Sequence, residues 1–356
     1  MGIKRRISRV LPIALRKKIL SLIGQRSLFS QLPLSMPLVI HIDPSNVCNF
    51  KCIFCPTADT ALLRDVNRPR QIMSMECFKK IVDDITSMKK LCRGTIYQIH
   101  LYKDGEPLLN KALPEMIRYI KDADVANCIS TTSNGSLLDK DCAEKIIDSG
   151  LDMIRISVES TDNDGYRRIT QTDTTYETIV ENVTYLYHLK KKKGSGLYIT
   201  VKITDVNLQD EQKEKFRRDF TPIADQVRID TLMGWSYSQK KDFTLGANVT
   251  TGIDGETLLK KRIVCPEPFS KMAVNSDGSV SMCCVDWSQG TVVGNVAKNS
   301  IFEIWNSEQL RQYRLLHSKN KRHEIPPCND CQYLCGFPPC DDLDKFGIQL
   351  VSMYKS

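Results

Sequence analysis

Between Leu38 and about Ser236 the chain alternates short apolar runs with longer amphipathic ones. The runs 38–43, 96–102, 126–132, 153–159, 198–204 and 226–232 are apolar and rich in β-branched residues, and they predict strands. The stretches 74–91, 112–122, 139–149, 176–193 and 210–219 repeat apolar residues at helical spacing, with starts at Ser74-Met-Glu-Cys and within 136–139. Six strands separated by helices predict an α/β fold of parallel βαβ units. From about 237 to 264 the pattern is polar and loop-like, with Gly246, Gly252 and Gly255, and predicts a connector that could shape the mouth of a site. Beyond it, 269–274 and 280–284 flank Asn275-Ser-Asp-Gly278, a hairpin signal, and Ser300-Ile-Phe-Glu-Ile-Trp305 opens an amphipathic helix. No apolar run is long enough to span a membrane.

Cysteines change this picture. Cys48, Cys52 and Cys55 occupy one loop, C-N-F-K-C-I-F-C, directly after the first predicted strand. The loop supplies three thiolates and no fourth. A four-iron cluster normally takes four protein ligands, so three leave one iron open to a small molecule. A structural zinc site would need a fourth ligand, and the only nearby histidine is His41, on the strand. A second group comprises Cys265, Cys283, Cys328 and Cys331, then Cys335 and Cys340, with Gly278 placed as G-x4-C before Cys283. Fourteen cysteines in 356 residues are too sparse for a disulfide scaffold, and their clustering suits metal binding in a reducing, cytoplasmic setting.

The first cysteine loop resembles the cluster loop of the radical S-adenosylmethionine (SAM) enzymes. The resemblance implies a partial (β/α)6 TIM-like barrel over 38–236. It also implies a 4Fe-4S cluster on Cys48, Cys52 and Cys55 whose open iron chelates SAM, with Phe54 beside it. SAM is then cleaved to a 5′-deoxyadenosyl radical that takes a hydrogen atom from substrate. Further motifs follow in strand order. Asp104-Gly105-Glu106-Pro107 resembles the family's Gly-Gly-Glu-Pro motif, with Asp104 in place of the first glycine, and is implied to contact the methionyl amine. Asn134, in Thr131-Thr-Ser-Asn-Gly135, is implied to line the SAM pocket. Ser157 and Glu159 lie on the strand resembling the family's ribose motif, and Arg168 or its neighbour Arg167 is implied to reach the SAM carboxylate. The second cysteine group resembles the SPASM/Twitch extension, expected over 265–356. Cys265, Cys283, Cys328 and Cys331 would then hold a second, auxiliary 4Fe-4S cluster. A full SPASM domain would hold two, drawing on Cys335 and Cys340. Cys284, Cys335 and Cys340 are otherwise spare, one of them a candidate hydrogen-atom donor, and Cys77, Cys92, Cys128 and Cys142 are expected in the core.

Charge is uneven along the chain. Eight basic residues and no acidic one precede Asp43, and the remainder holds 42 of each sign. A neutral body disfavours nucleic-acid binding. Segment 1–37 begins with basic clusters among Ile, Leu and Val, a pattern that suits either peripheral membrane contact through residues 1–26 or a helix packed on the barrel. Its apolar run Leu11–Leu15 stops at Arg16-Lys-Lys18, so no signal peptide is expected. The function expected is oxidation of a hydroxyl-bearing carbon in a sugar or aminocyclitol, with a flavodoxin- or ferredoxin-type reductant. Sugar epimerisation or dehydration, peptide maturation, and a non-catalytic iron–sulfur sensor are the alternatives.

Overall fold

A computed structural model of the chain describes residues 27–246, 262–333, 337 and 339–355. Segment 1–26, with its basic clusters, Gly252 and Gly255 of the connector, and Cys335 lie outside the described residues.

The six predicted strands form, as β1 (Val39–Ile42), β2 (Gln98–His100), β3 (Ile129–Ser133), β4 (Met153–Val158), β5 (Tyr198–Asp205) and β6 (Gln226–Thr231). Each pairs in parallel with the next, giving the curved row of a partial barrel. Further strands, β7 (Lys271–Val274), β8 (Ser279–Ser281) and β9 (Val292–Asn295), continue the same sheet from the other side of β1. β7 runs parallel to β1, and β7–β8 is the hairpin that Asn275-Ser-Asp-Gly278 predicts. Gly278 sits at φ +79° in that turn, which favours glycine. The second cysteine group is therefore carried on an extension of the barrel sheet.

The crossover helices are α1 (Thr60–Asp65), α2 (Met75–Cys92), α3 (Leu113–Ala123), α4 (Lys140–Asp148), α5 (Asn163–Thr170), α6 (Tyr176–Lys192) and α7 (Asp210–Phe220). Ser74 caps α2 and Asp139 caps α4, each accepting a backbone N–H of the first turn. The sequence pattern misses α1 and α5, which are short and lie inside expected loops. The apolar faces of the long helices bury Phe78, Ile81, Ile117, Ile146 and Val183 against the outside of the sheet in one continuous core. Cys77, Cys92 and Cys142 pack partly buried against it. α8 (Glu267–Ser270) directly precedes β7, and after β9 come α9 (Ile301–Trp305), α10 (Glu308–Ser318) and α11 (Gly347–Tyr354). Ser300 and Glu303 close a capping box on α9. The expected single helix from Ser300 breaks at Asn306 and restarts under a Ser307 cap. A smaller apolar cluster joins Leu28, Phe269, Leu315, Leu350 and Tyr354, so the described start and end of the chain pack together. Among the described residues, no helix is long and apolar enough to cross a membrane.

Candidate active site and iron–sulfur sites

Parallel strands point all their C-terminal ends one way, and that end of the barrel is where the loops that build a site converge. A cavity of about 310 Å3 opens there. Its wall takes His41 from β1, Tyr102 from beyond β2, Thr132 from β3, Arg155 and Ser157 from β4, Lys202 from β5 and Asp230 from β6. Phe54, Trp235, Cys284 and Tyr333 complete it. A neighbouring cavity deeper in the barrel, also touching Arg155, is lined by Gln98, His100, Ser130 and Arg228, so the interior is polar rather than filled with aliphatic side chains.

The three-cysteine loop is pinned from below. Its Lys51 and Ile53 amides donate to the carbonyls of Thr170 and Ile169 at the end of α5, at 2.8 and 3.0 Å. Cys48, Cys52 and Cys55 are partly buried. Burial pushes the Cys48 thiol up to about 12 and raises Cys52 and Cys55 as well, with the neighbouring thiols adding to the shift at Cys48 and Cys52. Thiols raised by burial and by one another ionise readily only when a cation takes their protons' place. No fourth cysteine is part of this loop.

The strand-end motifs tie the loop to the barrel. Glu106 is buried, and its carboxylate accepts from Ser133 Oγ at 2.8 Å, Leu108 N at 3.0 Å and Asn134 N at 2.8 Å. Asn134 Nδ2 donates to Asn49 Oδ1 at 2.9 Å, inside the cysteine loop, and Asn49 Nδ2 donates to Ser136 Oγ at 2.9 Å. Gly105 lies under the backbone entering that loop: a Cβ there would stand 2.2 Å from the Ser45 carbonyl and 2.4 Å from the Val47 carbonyl. These three residues thus form the cradle of the cysteine loop, a role the motif resemblance does not give them.

Asp104 takes the place of a glycine and uses its side chain. Its Oδ2 pairs with Arg68 at 3.0 Å and with Lys103 at 2.5 Å, all with side chains fully buried. Asp43 completes the group, two carboxylates against two cations. Burial and the Asp104 charge push the Asp43 carboxyl up to about 6, against the pull of Lys103 and Arg68. Asp104 keeps only Oδ1 free for the ammonium expected beside it.

Glu159 is buried near Cys48 and Cys52, its carboxyl raised by burial, with Lys202 as the opposing cation. Phe54 and Ser157 line the cavity, and the Phe54 carbonyl accepts from Trp235 Nε1 at 3.1 Å. Arg168 departs from expectation. It lies exposed on α5, as does Arg167, and neither is part of the cavity wall. The unforeseen helix turns both outward. The cations of the wall are Lys103, Arg155 and Lys202, which no motif signals.

Cys265, Cys283, Cys328 and Cys331, far apart in sequence, line one cavity together, joined by Glu267, Asp286, His317 and Arg322. Burial raises the Cys265 thiol, then Glu267, Cys331 and Cys328 in turn, and burial likewise raises Cys328. His317 is buried and held neutral, pushed down to about 3 by burial. A convergent set of four such thiols fits a fully ligated cluster. Cys284 is less spare than the sequence suggests: its ligand atom lies within 4.8 Å of those of Cys283 and Glu267. Cys340 stands apart, against Asp341 at 3.7 Å.

The two cavities share walls one or two residues thick. Trp235, Cys284 and Tyr333 face the barrel cavity, while Ser236, Cys283 and Cys331 face the four-cysteine cavity.

Family models match both halves of this arrangement. Residues 42–215 match the radical SAM superfamily, and residues 265–332 match the SPASM iron–sulfur cluster-binding domain. The chain belongs to the radical SAM superfamily, with a SPASM domain after its core. Radical SAM enzymes use a 4Fe-4S cluster with SAM, and the SPASM domain brings an auxiliary iron–sulfur cluster. A probable GTP 3′,8-cyclase from Methanococcus maripaludis is 35% identical over 123 residues, 35% of this chain and 37% of that protein. The chain thus aligns with little more than a third of that curated relative. Among solved structures, SuiB from Streptococcus suis bound to S-adenosylmethionine has a TM-score of 0.57 at 15% identity, covering 87% of this chain and 74% of that one. BtrN in complex with AdoMet and 2-DOIA has a TM-score of 0.51 at 16% identity, covering 83% and 93%. At such identities the likeness is one of fold.

Proposed function

We propose that this radical SAM enzyme oxidises a hydroxyl-bearing carbon of a sugar or aminocyclitol-type small molecule. The observation that carries the reading is the thin shared wall: one cavity at the strand ends, and a convergent four-cysteine site directly behind it. Bound on Cys48, Cys52 and Cys55, the first cluster with SAM would supply a hydrogen-abstracting 5′-deoxyadenosyl radical, and a centre on Cys265, Cys283, Cys328 and Cys331 would supply an electron acceptor.

The chain's own residues prepare the site. Glu106, Ser133, Asn134 and Asn49 hold the cysteine loop against the third strand. Phe54, Ser157, Glu159 and the free oxygen of Asp104 are assigned to SAM, and Gly105 gives the loop room. Oxidising a carbinol also requires release of the hydroxyl proton. Thr132, Ser157, Arg155, Lys202 and Asp230 give the cavity a polar wall, which suits a hydroxylated small molecule. In this reading residues 38–236 form the SAM core and 265–356 the auxiliary-cluster domain, joined by 237–264.

Anaerobic turnover with candidate sugars, read by chromatography, tests the reading. Formation of 5′-deoxyadenosine with a ketone or aldehyde product supports it. A product at the substrate's own oxidation state would instead support a rearrangement, the reading suggested by the cyclase name of the matched relative.

A further inference from the structure

We propose that His317 donates a hydrogen bond to sulfur of the cluster held by Cys265, Cys283, Cys328 and Cys331, and so sets how readily that centre takes up an electron. This rests on the reading above that the four cysteines hold an electron-accepting centre, and it is independent of which substrate the barrel cavity takes. His317 sits in the last turn of α10, one residue before its end. The residue is buried, 1% exposed, and it lines the four-cysteine cavity. Neither Nδ1 nor Nε2 has a hydrogen-bond partner among the described residues. An imidazole carries at least one N–H in either protonation state, so a buried donor is left unmet. A polar side chain buried without a partner is uncommon in a folded protein and calls for one.

The oxygen and nitrogen groups around this cavity are engaged elsewhere. The Asp286 carboxylate accepts from Ser288 Oγ at 2.8 Å, from Thr291 N at 2.8 Å and from Thr291 Oγ1 at 2.7 Å. Glu267 accepts from Lys271 Nζ at 2.6 Å. Ser236 Oγ donates to the Val285 carbonyl at 2.6 Å, and Arg322 donates to the Cys328 carbonyl at 2.8 Å. None of these groups bonds the imidazole. What the cavity offers the ring instead is sulfur, from the four cysteines that line it. Donation of that kind already occurs there, since the Val285 amide donates to Cys283 Sγ at 3.4 Å. Hydrogen bonds to the sulfurs are one of the terms that set the potential of an iron–sulfur centre. Reduction adds negative charge to those sulfurs, and a donor binds a more negative acceptor more strongly. An N–H from His317 therefore favours the reduced state and raises the potential, the direction an electron acceptor needs.

Potentiometric titration of the anaerobic holoenzyme, followed by electron paramagnetic resonance, tests this. SAM binds only the open iron of the first cluster and alters only that signal, so adding it lets the two centres be read apart. His317→Leu removes the donor, and the second centre should become at least tenfold harder to reduce, about 59 mV for one electron. His317→Gln keeps an N–H and should recover part of that shift. Both variants should hold about eight irons, as the wild type does. The proposal is overturned if the His317→Leu potential matches the wild type, or if His317→Gln falls as far as His317→Leu. Loss of about four irons in both variants also overturns it, since the ring would then be a ligand or a structural support. Should His317→Leu alone fail to load, His317→Phe takes its place in the same comparison, with the same outcomes. Because the potential is read without substrate, a missing ketone product leaves this proposal standing, and an unmoved potential leaves the oxidation reading standing.

Discussion

Two buried carboxyl groups next to the cysteine loop, only five or so residues or one strand from it, behave differently because their partners differ. Glu106 is raised by burial yet accepts three hydrogen bonds, so it works as a clamp. Glu106→Gln turns one oxygen into a donor that faces another donor. An unmet buried donor costs about 1–3 kcal/mol. The variant should unfold at correspondingly lower denaturant, and it should bind SAM at least tenfold more weakly while keeping its iron, as read by equilibrium dialysis and iron assay. Asp43 has one donor, Ser276 Oγ at 3.0 Å, and an unpartnered Oδ1. Its carboxyl, pushed up to about 6 from 3.8, stays protonated in the folded chain over a range where the unfolded chain has ionised. The folded state binds the extra proton there, so stability falls as pH rises from about 4 through 6, and the full penalty, on the order of 3 kcal/mol, applies above that. Asp43→Asn should flatten this fall, which urea unfolding at pH 5 and pH 7.5 would read. An unchanged slope would remove Asp43 as its source.

The elements were legible where periodicity was long. All six barrel strands and the five long helices lie within a few residues of the predicted spans, because each buries a repeating apolar face. The two missed helices show the limit. α1 is six residues, and α5 holds Arg167 and Arg168 on a strongly polar exposed face. Pattern reading therefore placed these arginines in a loop beside the cavity, while the helix exposes them. The wall cations Arg155 and Lys202 were invisible for the converse reason: a polar residue alternating along a strand looks the same whether it meets bulk water or an enclosed cavity. The glycine of the Asp-Gly-Glu-Pro turn, in contrast, has a reason that only packing reveals. Gly105→Ala would drive a Cβ into the carbonyls of Ser45 and Val47. The backbone leading to Cys48 must shift, and overpacking of this kind costs about 1–3 kcal/mol. The expected outcome is lower iron loading at the first site with the second site kept. Full loading of both after reconstitution would show that the crossing tolerates a methyl group.

At the scale of the whole molecule, the sequence places two cysteine groups on separate segments, whereas the fold brings Phe54 of the first group's loop and Cys284 of the second segment to one cavity. The pairing of β7 with β1 does this, since it continues the barrel sheet into the hairpin that presents Cys283 and Cys284. Two ligand sets can be drawn at the second site. One is Cys265, Cys283, Cys328 and Cys331, which line a common cavity. The other draws on Glu267 and Cys284, whose ligand atoms lie close to that of Cys283. They predict different losses. With the four-cysteine set, a Cys328→Ser/Cys331→Ser variant should fall from about eight irons to about four, since each 4Fe-4S centre takes four. Cys284→Ala should retain about eight, because its side chain faces the barrel cavity. If Cys284→Ala instead loses about four irons, the second centre reaches through the wall, and the two cavities are parts of one site. A starting value of about twelve irons would mean a third cluster and a ligand role for Cys340 and Cys335. The iron content of these variants, reconstituted side by side, decides how directly the second centre meets the substrate.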